Sequence, residues 1–216
     1  MRLTLLLILV NVAVFVYGYQ NLGTFIQEYG FSAQAFSEGR YWTLLTALFI
    51  HGSILHLAGN MVVLLFMGEV VEGYVSKLSY LLVYFLSGIA ANLGVLLLSL
   101  VGINPVAVGA SAAISGLIGY GAFKYSGKWV LSPIRFIPVP MPFMVAGALY
   151  LVMNSVGLFV LNLSLASGGH LIGGVVGALF ALRDEEHKLR KLIVFSAAVV
   201  LISLVPYGIK YLLGML

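Results

Sequence analysis

Apolar residues run continuously along this chain in seven stretches: Leu3–Tyr17, Ile54–Val71, Leu78–Val101, Ala110–Phe123, Met141–Leu165, Gly168–Leu182 and Leu192–Leu216. The segments between them hold nearly all the charges. A membrane crossing takes about 20 apolar residues, so 216 residues leave room for six or seven helices joined by short loops, with no second domain. The expectation is an all-α, polytopic membrane helix bundle. Composition points the same way: 62% of residues are hydrophobic and 8% charged, more apolar surface than a water-soluble domain could hide. Cysteine is absent, which removes disulfides, thiolate catalysis and Cys-based metal sites together.

The first stretch follows Arg2 and is short enough to be a cleaved signal peptide. Tyr17-Gly18-Tyr19-Gln20 lacks a pair of small residues for cleavage, so it reads as a retained helix. With the N-terminus cytoplasmic, one side collects Arg2, Lys77, Lys124, Lys128, Arg135, Arg183, Lys188, Arg190 and Lys191, against only Arg40 and Lys210 on the other. The net charge of +4 then describes a cytoplasmic rim facing anionic lipid headgroups, not a nucleic-acid surface. The expected location is the cell membrane, crossed several times. The segment from Gln20 to Trp42 (20–42) carries Phe25, Tyr29, Phe31, Phe36, Tyr41 and Trp42, and reads as ordered structure in the outer headgroup region rather than a floppy loop. Pro138, Pro140 and Pro142 are expected to end a cytoplasmic loop and fix the start of the fifth helix.

Ionisable groups inside a membrane are costly and usually functional. His51 and His56 begin the second span, His170 begins the sixth, and His187 lies in a charged loop at 185–191 as a solvated residue. Asn60 follows His56 by four residues, on the same helical face one turn deeper. His51 precedes His56 by five, about 140° around a helix, and so is expected to point elsewhere, as a structural residue bonded to the aromatic segment. Gly109-Ala110-Ser111 opens the fourth span and places a hydroxyl in its first turn. Ser111, His170, His56 and Asn60 thus converge at similar depth from three helices, as a site between helices of a bundle requires.

Ser111, Ser115 and Gly119 recur every four residues, as do Gly169, Gly173 and Gly177, and such stripes of small residues let backbones approach closely in lipid. Close approach would bring Ser111 within reach of His170. Each of these two spans has about 14 to 16 apolar residues, about 24 Å against a hydrocarbon thickness of about 30 Å, so both should start below the outer surface with water above them.

A serine in a membrane helix usually packs and bonds its own backbone, so the joint pattern carries the argument rather than Ser111 alone. His-Glu-x-x-His is absent, which leaves no zinc-protease motif. The sole aspartate, Asp184, lies in a cytoplasmic loop, which eliminates a pair of membrane aspartates. Glu28 and Glu38 are the only outer acids and both sit in the long segment, so a Ser/His/Asp triad fails too. A Ser–His dyad remains, with His170 taking the proton of Ser111 and returning it to the leaving amine; no cofactor or metal is called for.

His51-Gly-Ser-Ile-Leu-His56-Leu-Ala-Gly-Asn60-Met61, Gly109-Ala-Ser111 and Gly169-His170-Leu-Ile-Gly173-Gly174 resemble, in order, the three signature segments of the rhomboid intramembrane serine proteases. The similarity spans about residues 40–183. It implies a rhomboid-like six-helix core over 1–184, with Ser111 as nucleophile and His170 as base. It also implies an oxyanion hole of His56, Asn60 and the Ser111 N–H, with His51, Gly109, Gly173 and Gly174 as structural neighbours. Glu72 matches the family's Glu near the inner end of the second helix, and the fifth helix is the implied lateral gate. The last span, 192–216, resembles the seventh helix of a six-plus-one arrangement. The chain departs from the family pattern at Ala112, where Gly usually follows the nucleophile, and at Ser115, where an aromatic ring commonly stands four residues after it. The usual Trp-Arg pair is incomplete as well, since Thr43 follows Trp42 and the nearest arginine is Arg40.

Transmembrane proteins are the expected substrates. Exposing the scissile bond requires local unwinding, and released backbone groups are costly in lipid, so cutting is expected near the outer end at small or helix-breaking residues. The rival is a non-proteolytic rhomboid-like protein that binds membrane clients or thins the bilayer. A transporter would want an ionisable path through the midplane, and the spans carry none. Oligomeric state is not encoded legibly.

Overall fold

In a computed structural model, residues 2–134, 136–159, 166–183 and 187–197 are described. The first apolar run forms α1 (Leu3–Gly18), and a 3-10 turn at Tyr19–Asn21 carries the chain into α2 (Leu22–Tyr29). Short helices α3 (Ala33–Ser37) and α4 (Thr43–Thr46) follow, so the aromatic segment 20–42 is largely helical. The second run forms α5 (Ile54–Val63), a π segment at Leu64–Gly68 and α6 (Glu69–Glu72), which together make one continuous stretch. Next come α7 (Lys77–Ser99) and α8 (Ser111–Lys124). A hairpin, β1 (Trp129–Ile134) and β2 (Ile137–Pro142), precedes α9 (Phe143–Phe159) and α10 (Ala166–Leu182).

Among the described residues three stretches are long and apolar enough to cross a membrane: Leu3–Tyr29, Ile54–Glu72 and Lys77–Ser99. Residues 188–197 are helical, and the remainder of the expected span at 192–216 lies outside the described residues. Arg135 and the acidic cluster 184–186 lie outside them too.

The hairpin adds two short strands to a chain expected to be all-α, and α9 begins at Phe143, directly after the last of the prolines expected to fix its start. The hairpin register pairs Trp129 with Pro142, Leu131 with Pro140 and Pro133 with Pro138. In an antiparallel ladder only alternate residues point their N–H at the partner strand. Prolines at every second position of β2 therefore cost the ladder nothing, and helix α9 begins only after the last of them.

Polar contacts gather at one end of the bundle. The Glu72 carboxylate accepts from the N–H groups of Leu3 and Thr4 at 2.6 and 2.9 Å, and so satisfies two of the unpaired donors that open α1. Arg2 pairs with Glu69 at 3.1 Å, Lys191 donates to the Phe123 carbonyl at 2.9 Å, and Lys128 sits 5.3 Å from the centre of the Tyr74 ring. Between the ends Leu64, Met67, Tyr80, Tyr84, Leu117 and Phe143 are fully buried where α7 and α8 meet the π segment and α9.

At the other end Arg40 gathers the aromatic segment. Its guanidinium donates to the carbonyls of Gln27 and Glu28, at 2.9 and 3.3 Å, and to the Glu38 carboxylate at 2.8 Å. Bonds from Gln34 and Arg40 hold the Glu38 carboxyl below its usual range. Phe31, fully buried, exchanges both backbone hydrogen bonds with Ala107, at 3.0 and 2.7 Å. The aromatic segment is thereby fastened to the chain that leads into α8.

Candidate active site

Helix α5 starts where Ser53, in extended conformation, turns its hydroxyl to accept from the His56 N–H at 3.1 Å. That cap excludes His51 from the helix and overturns the expectation that it points away from His56, because a 100° rotation per residue holds only within helical backbone. The His51 ring lies 5.0 Å from the His56 ring at 65°, edge against face. Among the described residues His51 does not bond the aromatic segment either: its Nδ1 is 3.3 Å from the carbonyl of Phe49. It is 1% exposed, and packs against His56 as a buried support.

The Gly52 N–H donates to Nδ1 of His56 at 3.4 Å. An imidazole that accepts at Nδ1 carries its proton on Nε2, so this bond selects the tautomer whose free edge is a donor. That edge faces Gly109, where a Cβ would come within 2.8 Å of Nε2 and 3.5 Å of Asn60 Nδ2. Gly109 also has φ +114°, a backbone that side-chain-bearing residues rarely adopt. Two requirements thus fix glycine there, and together they bring His56 and Asn60 to the chain two residues before Ser111. The Asn60 amide is buried, with Nδ2 making no hydrogen bond among the described residues. An unpaired buried donor is costly unless something arrives to accept from it.

Ser111 is the first residue of α8, where the leading N–H groups of a helix have no intrahelical acceptor. Helix α10 lies against it at backbone distance. A Cβ on Gly173 would strike the Ala112 carbonyl, and one on Gly177 the Gly116 carbonyl. Ala112 and Gly116 therefore belong to the contact stripe on α8, beside Ser115 and Gly119, which face Gly174. Gly169 turns instead toward Ala91 on α7. The approach carries His170, on the first turns of α10, to the same cavity as Ser111.

That cavity, about 400 Å3, is lined by Ser111, His170, His56 and Gly109, with the 105–108 chain and the end of α7 around them. Helix α8 has 14 residues, about 21 Å, so it cannot span a hydrocarbon layer of about 30 Å, and the cavity occupies the space beyond its first turn.

Two features escaped the sequence. Ala47 accepts from the Gly109 N–H at 2.9 Å, which with the Phe31–Ala107 bridge pins the approach to Ser111 from both sides. Long-range backbone pairing leaves no mark in side-chain patterning. On α9, the Tyr150 ring lies 6.3 Å from the His170 ring, and its hydroxyl is 3.2 Å from that of Ser115. A lone phenol between Leu149 and Leu151 in an apolar run was the available signal.

Residues 38–185 match the rhomboid domain family model. Rhomboid-like protease 3 of Toxoplasma gondii is 38% identical over 99 residues, 45% of this chain and 36% of that protein. RHOMBOID-like protein 5 of Arabidopsis thaliana is 29% identical over 158 residues, 68% of this chain and 47% of that one. Inactive RHOMBOID-like protein 8 of Arabidopsis thaliana is 32% identical over 103 residues, 47% of this chain and 28% of that one. The chain thus spans less than half the length of these relatives. A family-model match over most of the chain, on a mostly helical fold with several apolar helices, makes this multi-pass membrane protein a member of the rhomboid family of intramembrane proteases.

Proposed function

We propose that the chain is an intramembrane serine endopeptidase in which Ser111 and His170 form the dyad. The observation that carries this reading is the one cavity into which Ser111, His170 and His56 open, with Nδ2 of Asn60, which has no partner among the described residues, beside Gly109. His170 removes the proton from the Ser111 hydroxyl as its oxygen adds to the scissile carbonyl. The negative charge that develops is met by Nε2–H of His56, Nδ2–H of Asn60 and the N–H of Ser111, all held in place before the reaction. As the C–N bond breaks, the proton on His170 passes to the departing amine. Water, activated by the same imidazole, then hydrolyses the acyl ester and regenerates Ser111.

The reading includes a six-helix core with an added seventh span at 192–216. It places the N-terminus in the cytoplasm and the cavity toward the outer face, following the asymmetry of Lys and Arg. Substrates are transmembrane segments that unwind readily near their outer end.

Wild type and Ser111→Ala, reconstituted in proteoliposomes with a fluorogenic transmembrane substrate, test the proposal. Cleavage by wild type alone supports it, and equal cleavage by both rejects it. The second reading, a non-proteolytic client-binding member, draws on the match to an inactive relative. A fluorophosphonate probe that attaches at Ser111, and fails to in His170→Ala, argues for the enzyme.

A further inference from the structure

The ring near His170 comes from α9. Tyr150 and His170 have ring centres 6.3 Å apart at 53°, within the range of attractive tilted ring pairs. The Tyr150 hydroxyl is held 3.2 Å from Ser115, whose own hydroxyl donates to the Ser111 carbonyl at 2.7 Å. Ser115 is 1% exposed and stands one turn along α8 from Ser111, too small to reach His170 with any ring of its own. Gly147, one turn before Tyr150, is the point at which α9 comes close to α8: a Cβ there would lie 2.6 Å from that of Ala122. Ser115, Gly147, Tyr150 and His170 line one cavity, of about 240 Å3, between α8, α9 and α10. His170 also lines the cavity that holds Ser111, and so stands between the two.

From this geometry we infer that Tyr150 is the positioning residue for His170, its ring fixing the imidazole from α9 and its hydroxyl tied through Ser115 to the nucleophile's own turn. The inference rests on the proteolytic reading above. An imidazole must hold one rotamer to take the serine proton, and displacements of about 1 Å can cost about 100-fold in rate. Tyr150 lines the neighbouring cavity rather than the one that holds Ser111, so its effect falls on turnover rather than substrate binding. Base orientation depends on α9 being seated against α8, and any outward swing of α9 withdraws the ring from His170.

The test compares kcat and KM in proteoliposomes for wild type, Ser111→Ala, Tyr150→Phe, Tyr150→Ala and Tyr150→Ala combined with Ser115→Tyr. Tyr150→Ala should lower kcat about tenfold or more with KM within about twofold, and Tyr150→Phe, which keeps the ring, should stay within about fivefold of wild type. Ser115→Tyr in the Tyr150→Ala background should recover kcat, because it returns a ring to the vacated space from α8. Undiminished kcat in Tyr150→Ala overturns the inference, and so does a double variant no better than the single one. If Tyr150→Ala fails to unfold cooperatively with heat in detergent, Tyr150→Leu replaces it, keeping apolar bulk without the aromatic face, and is expected to show the same loss of kcat. Cleavage surviving in Ser111→Ala would instead defeat the proteolytic reading itself.

Discussion

Gly173 of α10 rests against the carbonyl of Ala112 on α8, leaving no room for a Cβ between the helices. Gly177 meets Gly116 in the same way one turn further on. Without a hydrophobic driving force between helices in lipid, this intimacy supplies the packing that joins the serine's helix to the histidine's.

Gly177→Val should therefore force α8 and α10 apart. Overpacking of this kind costs about 1–3 kcal/mol, and the displacement should also misalign the dyad. Thermal unfolding in detergent and fluorophosphonate labelling at Ser111 should both decline. A variant that unfolds and labels as wild type does would show the contact to be unimportant.

Beside Gly109 the buried Nδ2 of Asn60 makes no hydrogen bond among the described residues. Asn60→Ala should lower kcat by about 100- to 1,000-fold, equivalent to about 2.7–4 kcal/mol of transition-state stabilisation, with slow cleavage remaining. Stability should hold or improve, because an unsatisfied polar group leaves the interior. Unchanged kcat would remove Asn60 from the reaction.

The Phe31–Ala107 bridge sits four residues ahead of Ser111. Ala107→Pro deletes the N–H that donates to the Phe31 carbonyl at 2.7 Å. Labelling of Ser111 should slow by about tenfold, while hydrogen exchange within α7 stays as in wild type. Normal labelling would mean that the approach to α8 holds its shape without the aromatic segment.

At the opposite end, Glu72 accepts from the first two amides of α1. Glu72→Ala should expose the amides of Leu3 and Thr4 to faster hydrogen exchange and cost about 1 kcal/mol, as loss of a helix cap does. Protection that survives the substitution would assign those amides another acceptor.

Helix existence was legible wherever apolar runs were long, because lipid requires backbone bonds to close within the segment. The glycine spacing announced that α8 and α10 approach, although Ala112 and Gly116 share the contact and Gly169 faces α7. His56 and Asn60 were legible as a pair because both lie inside α5. His51 was not, since the wheel was extended across a Ser53 cap where the backbone is no longer helical. The prolines suggested a loop, and only the pairing register reveals that their alternation suits one strand of a hairpin. Tyr150 remained hidden because a single span gives no hint of which neighbouring helix its side chains meet.

Those prolines have a consequence beyond the hairpin. Strand edges invite recruitment of further strands through their outward amides, and Pro138, Pro140 and Pro142 strip those donors from the free side of β2. Copies of the protein crowded into one bilayer therefore find no backbone N–H between Pro138 and Pro142 on the outer edge of β2 with which to begin a third strand there.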